Sequence, residues 1–134
     1  MPALTEVEGI GATYAAKLKE IGIHTTEQLL EKGATPAGRN EIAQQTGISG
    51  TLILKWVNHV DLFRIKGIGS EYADLLEAAG VDTVPELARR NPQNLHQALV
   101  ETNEKRKLVR QLPTLKQVED WVEQAKKLPR IVQY

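Results

Sequence analysis

Apolar residues recur along this chain at three- and four-residue intervals, and capping residues or prolines stand where each run opens. Tyr72, Leu75, Leu76 and Ala79 share one helical face at i, i+3, i+4, i+7 spacing. Ile53, Trp56, Val57 and Val60 do the same in a helix predicted from about Gly50 to Phe63, with Ser49 as its cap. Thr35-Pro36 predicts a helix start, running to about Thr46 with Gly47 as its stop. Asn91-Pro92 opens another, with Leu95, Ala98 and Leu99 as its apolar positions. Thr25-x-x-Gln28, Thr83-x-x-Glu86 and Thr114-x-x-Gln117 have the form of capping boxes. The last of these precedes a helix with Leu115, Val118, Trp121, Val122 and Ala125 inward. No run alternates long enough to make a useful strand, and Arg130–Tyr134 stays unassigned. The pattern predicts an all-α fold.

The pattern occurs twice. Val7-Glu8-Gly9-Ile10-Gly11-Ala12-Thr13-Tyr14-Ala15 aligns without gaps on Ile65-Lys66-Gly67-Ile68-Gly69-Ser70-Glu71-Tyr72-Ala73. The match continues through Leu18 and Leu76, Gly22 and Gly80, Ile23 and Val81, Thr25 and Thr83, and Leu29 and Leu87. In each copy a Gly-Ile-Gly turn can adopt positive φ and leaves no Cβ in the way of a close partner. Gly22 and Gly80 fall where a left-handed helix C-cap belongs. The division is therefore 1–64 and 65–134, each a helix, glycine hairpin and helix followed by a helix pair, packed as one compact helical body. Trp56 and Trp121 occupy equivalent positions, and the second copy carries extra residues around Glu104–Arg110.

Gly-Ile-Gly followed by Tyr-Ala-x-x-Leu, then Ala-Gly-Val-x-Thr-Val-x-Glu-Leu, resembles the helix-hairpin-helix superfamily. The run from Trp56 through Asn58, Asp61, Arg64 and Gly67 to Gly69, continuing by Leu75, Leu76 and Leu87 to Pro113 and Trp121, resembles the bacterial domain-of-unknown-function (DUF) 4332 proteins. The second resemblance covers most of the chain and implies a helical fold. The first implies that the glycine turns present backbone N–H groups at a helix N-terminus to a phosphate, as in nucleic-acid-binding relatives.

Composition narrows the choice of chemistry. The 134 residues are 41% hydrophobic and 25% charged, which excludes wholesale disorder. Aromatics are only 4%, so the core must rest on Leu, Ile, Val and Ala. The absence of cysteine removes disulfides and thiolate metal sites and suits a cytoplasmic protein. Neither a signal peptide nor a membrane-spanning apolar segment is expected. Seventeen Lys and Arg balance seventeen Asp and Glu, so there is no broad basic surface for duplex backbone. Any nucleic-acid contact must rest on local geometry.

Two turns carry that geometry. Gly9, Ile10 and Gly11 with Thr13 and Lys17 form one candidate phosphate site; Gly67, Ile68 and Gly69 with Ser70 and Lys66 form the other. Unpaired amides and the helix dipole favour an anion there. The plainer alternative is that the glycines only make a tight turn and Ile10 and Ile68 plug the core. Gly67–Ala88 holds Glu71, Asp74, Glu77, Asp82 and Glu86 with no Lys or Arg, a local charge of −5 that favours the first turn over the second. Arg89–Arg130 holds ten basic residues against five acidic ones, a local +5, densest at Lys105, Arg106, Lys107 and Arg110. That patch fits nucleic acid, or else a solvated face or an acidic partner.

Arg39–Val57 also has helix-turn-helix spacing, with Ser49, Gly50, Thr51, Lys55 and Asn58 as the polar residues of a reading helix. Leu52 and Leu54 suit packing better than a groove. His24, His59 and His96 have no paired ligand spacing, and there is no P-loop, dinucleotide fingerprint or nucleophile elbow. No catalytic residue, metal or cofactor is expected. The expected partner is DNA or another nucleic acid, bound weakly and without sequence preference. The alternative is a protein partner, including a second copy of this chain. No membrane is expected.

Overall fold

The computed structural model describes residues 2–134, and these form eight α-helices and one 3-10 turn, with no strand among the described residues. After the turn Leu4–Glu6 come α1 (Ala12–Glu20), α2 (Thr26–Lys32), α3 (Pro36–Thr46) and α4 (Gly50–Leu62). Then follow α5 (Ser70–Ala78), α6 (Val84–Ala88), α7 (Pro92–Arg106) and α8 (Leu115–Lys126).

The ends of these helices follow from local chemistry. Gln28 and Gln117 donate their backbone N–H to Thr25 and Thr114, and their side-chain carbonyls accept from those threonines' N–H, which completes two capping boxes. Thr35 and Asn91 cap α3 and α7 ahead of a proline. Gly22, at φ +88°, lets Ile23 N–H reach back to Leu18 O and Gly22 N–H to Lys19 O. Gly80, at φ +95°, does the same for Val81 and Leu76. Both are Schellman closures.

One expected capping box does not form. Glu86 carboxylate accepts from Asp82 N–H and from Thr83 Oγ, both at 3.2 Å, and Thr83 makes no cap bond to the backbone. Thr83 is buried, and its hydroxyl donates to the Glu86 carboxylate, a charge-assisted bond, without also accepting from the first turn of α6.

The chain clusters into two units, one running to Asp61 and including Ile131–Tyr134, the other Leu62–Arg130. The division thus falls three residues before the expected 64/65 boundary, and the unassigned tail belongs with the first unit. There Gln133 N–H donates to Ala34 O at 2.7 Å, and the Arg39 guanidinium donates to Gly33 O at 2.8 Å and Gln133 O at 2.7 Å. Val132 is buried, and Tyr134 Oη donates to Asn58 Oδ1 at 3.3 Å. Burial pushes Arg39 below the ordinary arginine range, partly offset by Tyr134. Asn58 is therefore inside, and Arg39 is turned inward. The base-reading face that helix-turn-helix spacing predicts is not available at those positions.

The core of the first unit is built on Leu18, Ile23, Leu29, Ile42, Ile53, Trp56, Val57 and Val60. That of the second is built on Leu75, Leu76, Val81, Leu87, Leu95, Leu99, Val118, Trp121 and Val122. Leu115, expected inward, is 36% exposed. It is the first residue of α8, and the buried stripe begins one turn later at Val118. In each unit a tryptophan lies beneath the glycine turn. Tyr14 packs on Trp56 with ring centroids 5.1 Å apart, and Tyr72 packs on Trp121 at 5.2 Å.

Candidate functional site

The two glycines of each turn do different work. Gly9 and Gly67 adopt φ +92° and +101°, which a side chain resists. A Cβ on them would lie 3.2 Å from Trp56 Nε1 and 3.0 Å from Trp121 Nε1. These glycines serve the fold. Gly11 and Gly69 are extended, at φ −87° and −105°, a conformation open to any residue. A Cβ there would meet nothing within 4 Å.

Gly11 and Gly69 are the N-caps of α1 and α5, and neither helix has a side-chain cap. Gly11, Ala12 and Thr13 are exposed, and their amides have no acceptor among the described residues. They form the open positive end of a nine-residue helix. Its first turn holds no acidic residue, whereas that of α5 holds Glu71. The electrostatic preference for the first turn, read from charge counts, thus has a local counterpart in the helix ends.

The remaining predicted residues distribute as follows. Ile10 and Ile68 are buried, and their amides donate to Val7 O and Ile65 O at 3.0 and 3.1 Å. Their side chains plug the core, and their N–H groups already have acceptors. Thr13 is exposed and Lys17, one helical turn on, is half-buried. Ser70 is half-buried. Lys66 is exposed, and its backbone is held by Gln124 of α8, which accepts from Lys66 N–H at 2.8 Å and donates to Lys66 O at 3.0 Å.

Lys105, Arg106, Lys107 and Arg110 are all exposed. Lys107 is the one non-glycine at positive φ among the described residues, at +51°, and ends α7 in the left-handed conformation. The segment after it is tied down. Asn103 bonds both Val109 N–H and Val109 O through its side chain, at 3.0 and 3.2 Å. Tyr72 Oη donates to Gln111 O at 3.0 Å, and His96 Nε2 lies 3.0 Å from Pro113 O. The structure therefore brings the basic segment to α5, the helix that follows the second turn.

Gln124, Asn103 and Tyr72 Oη were not legible as site-forming residues. Gln124 meets Lys66 across 58 positions and Tyr72 meets Gln111 across 39, and no local spacing encodes such pairs. Asn103 alone leaves a trace, as a short polar side chain six residues before Val109 in the extra segment. Clefts of about 200 and 480 Å³ in the first unit are lined by residues such as Lys32, Glu41, Arg39 and Gly50 and contain no residue of the glycine turns or the basic patch. No helix is long and apolar enough to cross a membrane among the described residues.

These observations define an all-α protein whose glycine turns lead into uncapped helix N-termini. The family model described as "Domain of unknown function (DUF4332)" matches residues 8–128, and the chain belongs to that family. No solved structure matches it.

Proposed function

We propose that this protein is a non-enzymatic binding module of the helix-hairpin-helix type that holds nucleic-acid backbone without reading base sequence. The observation that carries the proposal is the pair Gly11 and Gly69. Backbone conformation does not require glycine there, and no neighbour within 4 Å excludes a side chain. A serine or aspartate would cap the helix better. Glycine instead leaves the first-turn amides open to an outside acceptor, and phosphate oxygens fit that geometry and charge. Lys17 in the first unit, and Lys105, Arg106, Lys107 and Arg110 in the second, add counter-charge. With few phosphates neutralised and no net positive charge, binding is weak and steeply salt-dependent.

The test is fluorescence anisotropy of labelled duplex and single-stranded oligonucleotides, titrated at low and physiological salt with the wild type and with Gly11→Asp. The aspartate supplies an internal cap and a negative charge at the same atoms, so the fold is kept while phosphate is excluded. Salt-sensitive binding by the wild type, weakened at least tenfold in the variant, is the expected result. No binding at low salt sinks the proposal and directs the search to protein partners, the other role expected from the sequence.

A further inference from the structure

The extra segment of the second unit has a feature that packing does not account for. Four cations, Lys105, Arg106, Lys107 and Arg110, stand exposed within six positions, and none has a carboxylate in ion-pair range among the described residues. Glu101, one turn before Lys105, accepts from Gln97 instead. The helix dipole explains Lys105 and Arg106, which occupy the last turn of α7. It does not explain Lys107, which sits just past the helix in a left-handed conformation at φ +51°, where glycine or asparagine is usual. Nor does it explain Arg110, beyond the helix altogether. Lys107 thus holds a left-handed backbone that glycine would adopt at less cost.

Nor is the segment slack. Asn103 grips Val109 by both of its backbone groups, Val109 is buried, and the Tyr72 hydroxyl holds Gln111. The cations are therefore mounted on a fixed backbone, tethered to α5 three residues after the Gly69 N-cap. An anchored array loses less freedom on binding than four cations on a loose loop.

We infer that Lys105–Arg110 is a preorganised arm that grips the phosphate backbone of nucleic acid, and that Asn103 and Tyr72 are its positioning residues. This rests on the nucleic-acid reading above and shifts its weight: the second unit, despite its acidic α5 and α6, supplies the larger ionic contact. The densest run of exposed cations belongs to the arm, whereas the first turn offers amides with only Lys17 and Lys19 on the helix that follows it.

The experiment measures affinity for a labelled DNA duplex as a function of salt concentration, with thermal melting of each protein alongside. Lys107→Gly relieves the left-handed lysine and removes one charge. It is expected to raise the melting temperature, weaken binding several-fold, and flatten the log affinity against log salt plot by about 0.9. Tyr72→Phe keeps the ring on Trp121 and removes only the tether; Asn103→Ala removes the clamp. Neither alters net charge, yet both are expected to flatten the salt plot, which a merely structural role would not do. Wild-type affinity and slope in Lys107→Gly and Tyr72→Phe would overturn the inference. If Gly11→Asp abolishes binding while the arm variants bind as wild type, the turn reading stands and the arm fails. If the arm variants weaken binding and Gly11→Asp does not, the arm stands and the turn reading fails. A wild type that binds nothing removes both.

Discussion

Gly9 lies so close beneath the indole of Trp56 that a Cβ on it would come within 3.2 Å of Nε1. The same relationship holds between Gly67 and Trp121 at 3.0 Å. Each tryptophan is in turn covered by a tyrosine from the helix that the glycine turn begins. The turn, its helix and the tryptophan thus form one packed group in each unit, and the positive-φ glycine is what allows its closest contact.

Alanine substitution should separate the two glycines of each turn. Gly9→Ala and Gly67→Ala impose a left-handed alanine, at roughly 1 kcal/mol, and crowd an indole, so a loss of roughly 2 kcal/mol is expected. Gly11→Ala and Gly69→Ala put alanine at an N-cap, where it is poorer than glycine, and should cost only about 0.5–1 kcal/mol. Urea unfolding followed by tryptophan fluorescence measures both, and equal losses at Gly9 and Gly11 would refute the division of labour.

Gly38 is constrained by backbone. A Cβ there would run into Lys32 O, and Gly38 N–H is already committed to Thr35 Oγ1 at 3.0 Å. Because a carbonyl cannot swing aside like a side chain, Gly38→Ala is expected to destabilise by about 2 kcal/mol or more. A melting temperature close to that of the wild type would contradict the contact.

Arg39 joins the tail to the α2–α3 junction by bonding two carbonyls, Gly33 O and Gln133 O. Lysine carries the charge but cannot present two donors in a fixed fork. Arg39→Lys should therefore cost about 2 kcal/mol, and amide exchange at Gln133 should quicken. Unchanged protection at Gln133 would show that the tail holds without the guanidinium.

Thr114→Ala removes the hydroxyl half of a formed capping box and should cost about 1 kcal/mol. Its effect should appear as faster exchange of the first-turn amides of α8, with Gln117 N–H the most affected. No change there would mean that the Thr114–Gln117 bond contributes nothing.

Helix ends were readable because their determinants lie within a few residues of one another. Thr25 with Gln28, Thr35 with Pro36, Asn91 with Pro92, and Gly22, Gly47 and Gly80 each act through bonds spanning three to five positions. Apolar periodicity likewise identified Ile53, Trp56, Val57 and Val60 as core, since it follows from helix geometry alone. The amino-acid order by itself thus determined the helices, most of their termini and most of their buried faces. Tertiary structure decided what depends on distant partners. The tail docks on Ala34 and Arg39 across about a hundred positions, Asn58 is turned inward, and the arm is tethered to Tyr72. It also divided Gly9 from Gly11, which look alike as letters. One is bound by a tryptophan 47 positions away, and the other faces open space. Local bonds repeat with the chain and can be read along it; which surface a residue meets is set only when remote segments compete for the same volume.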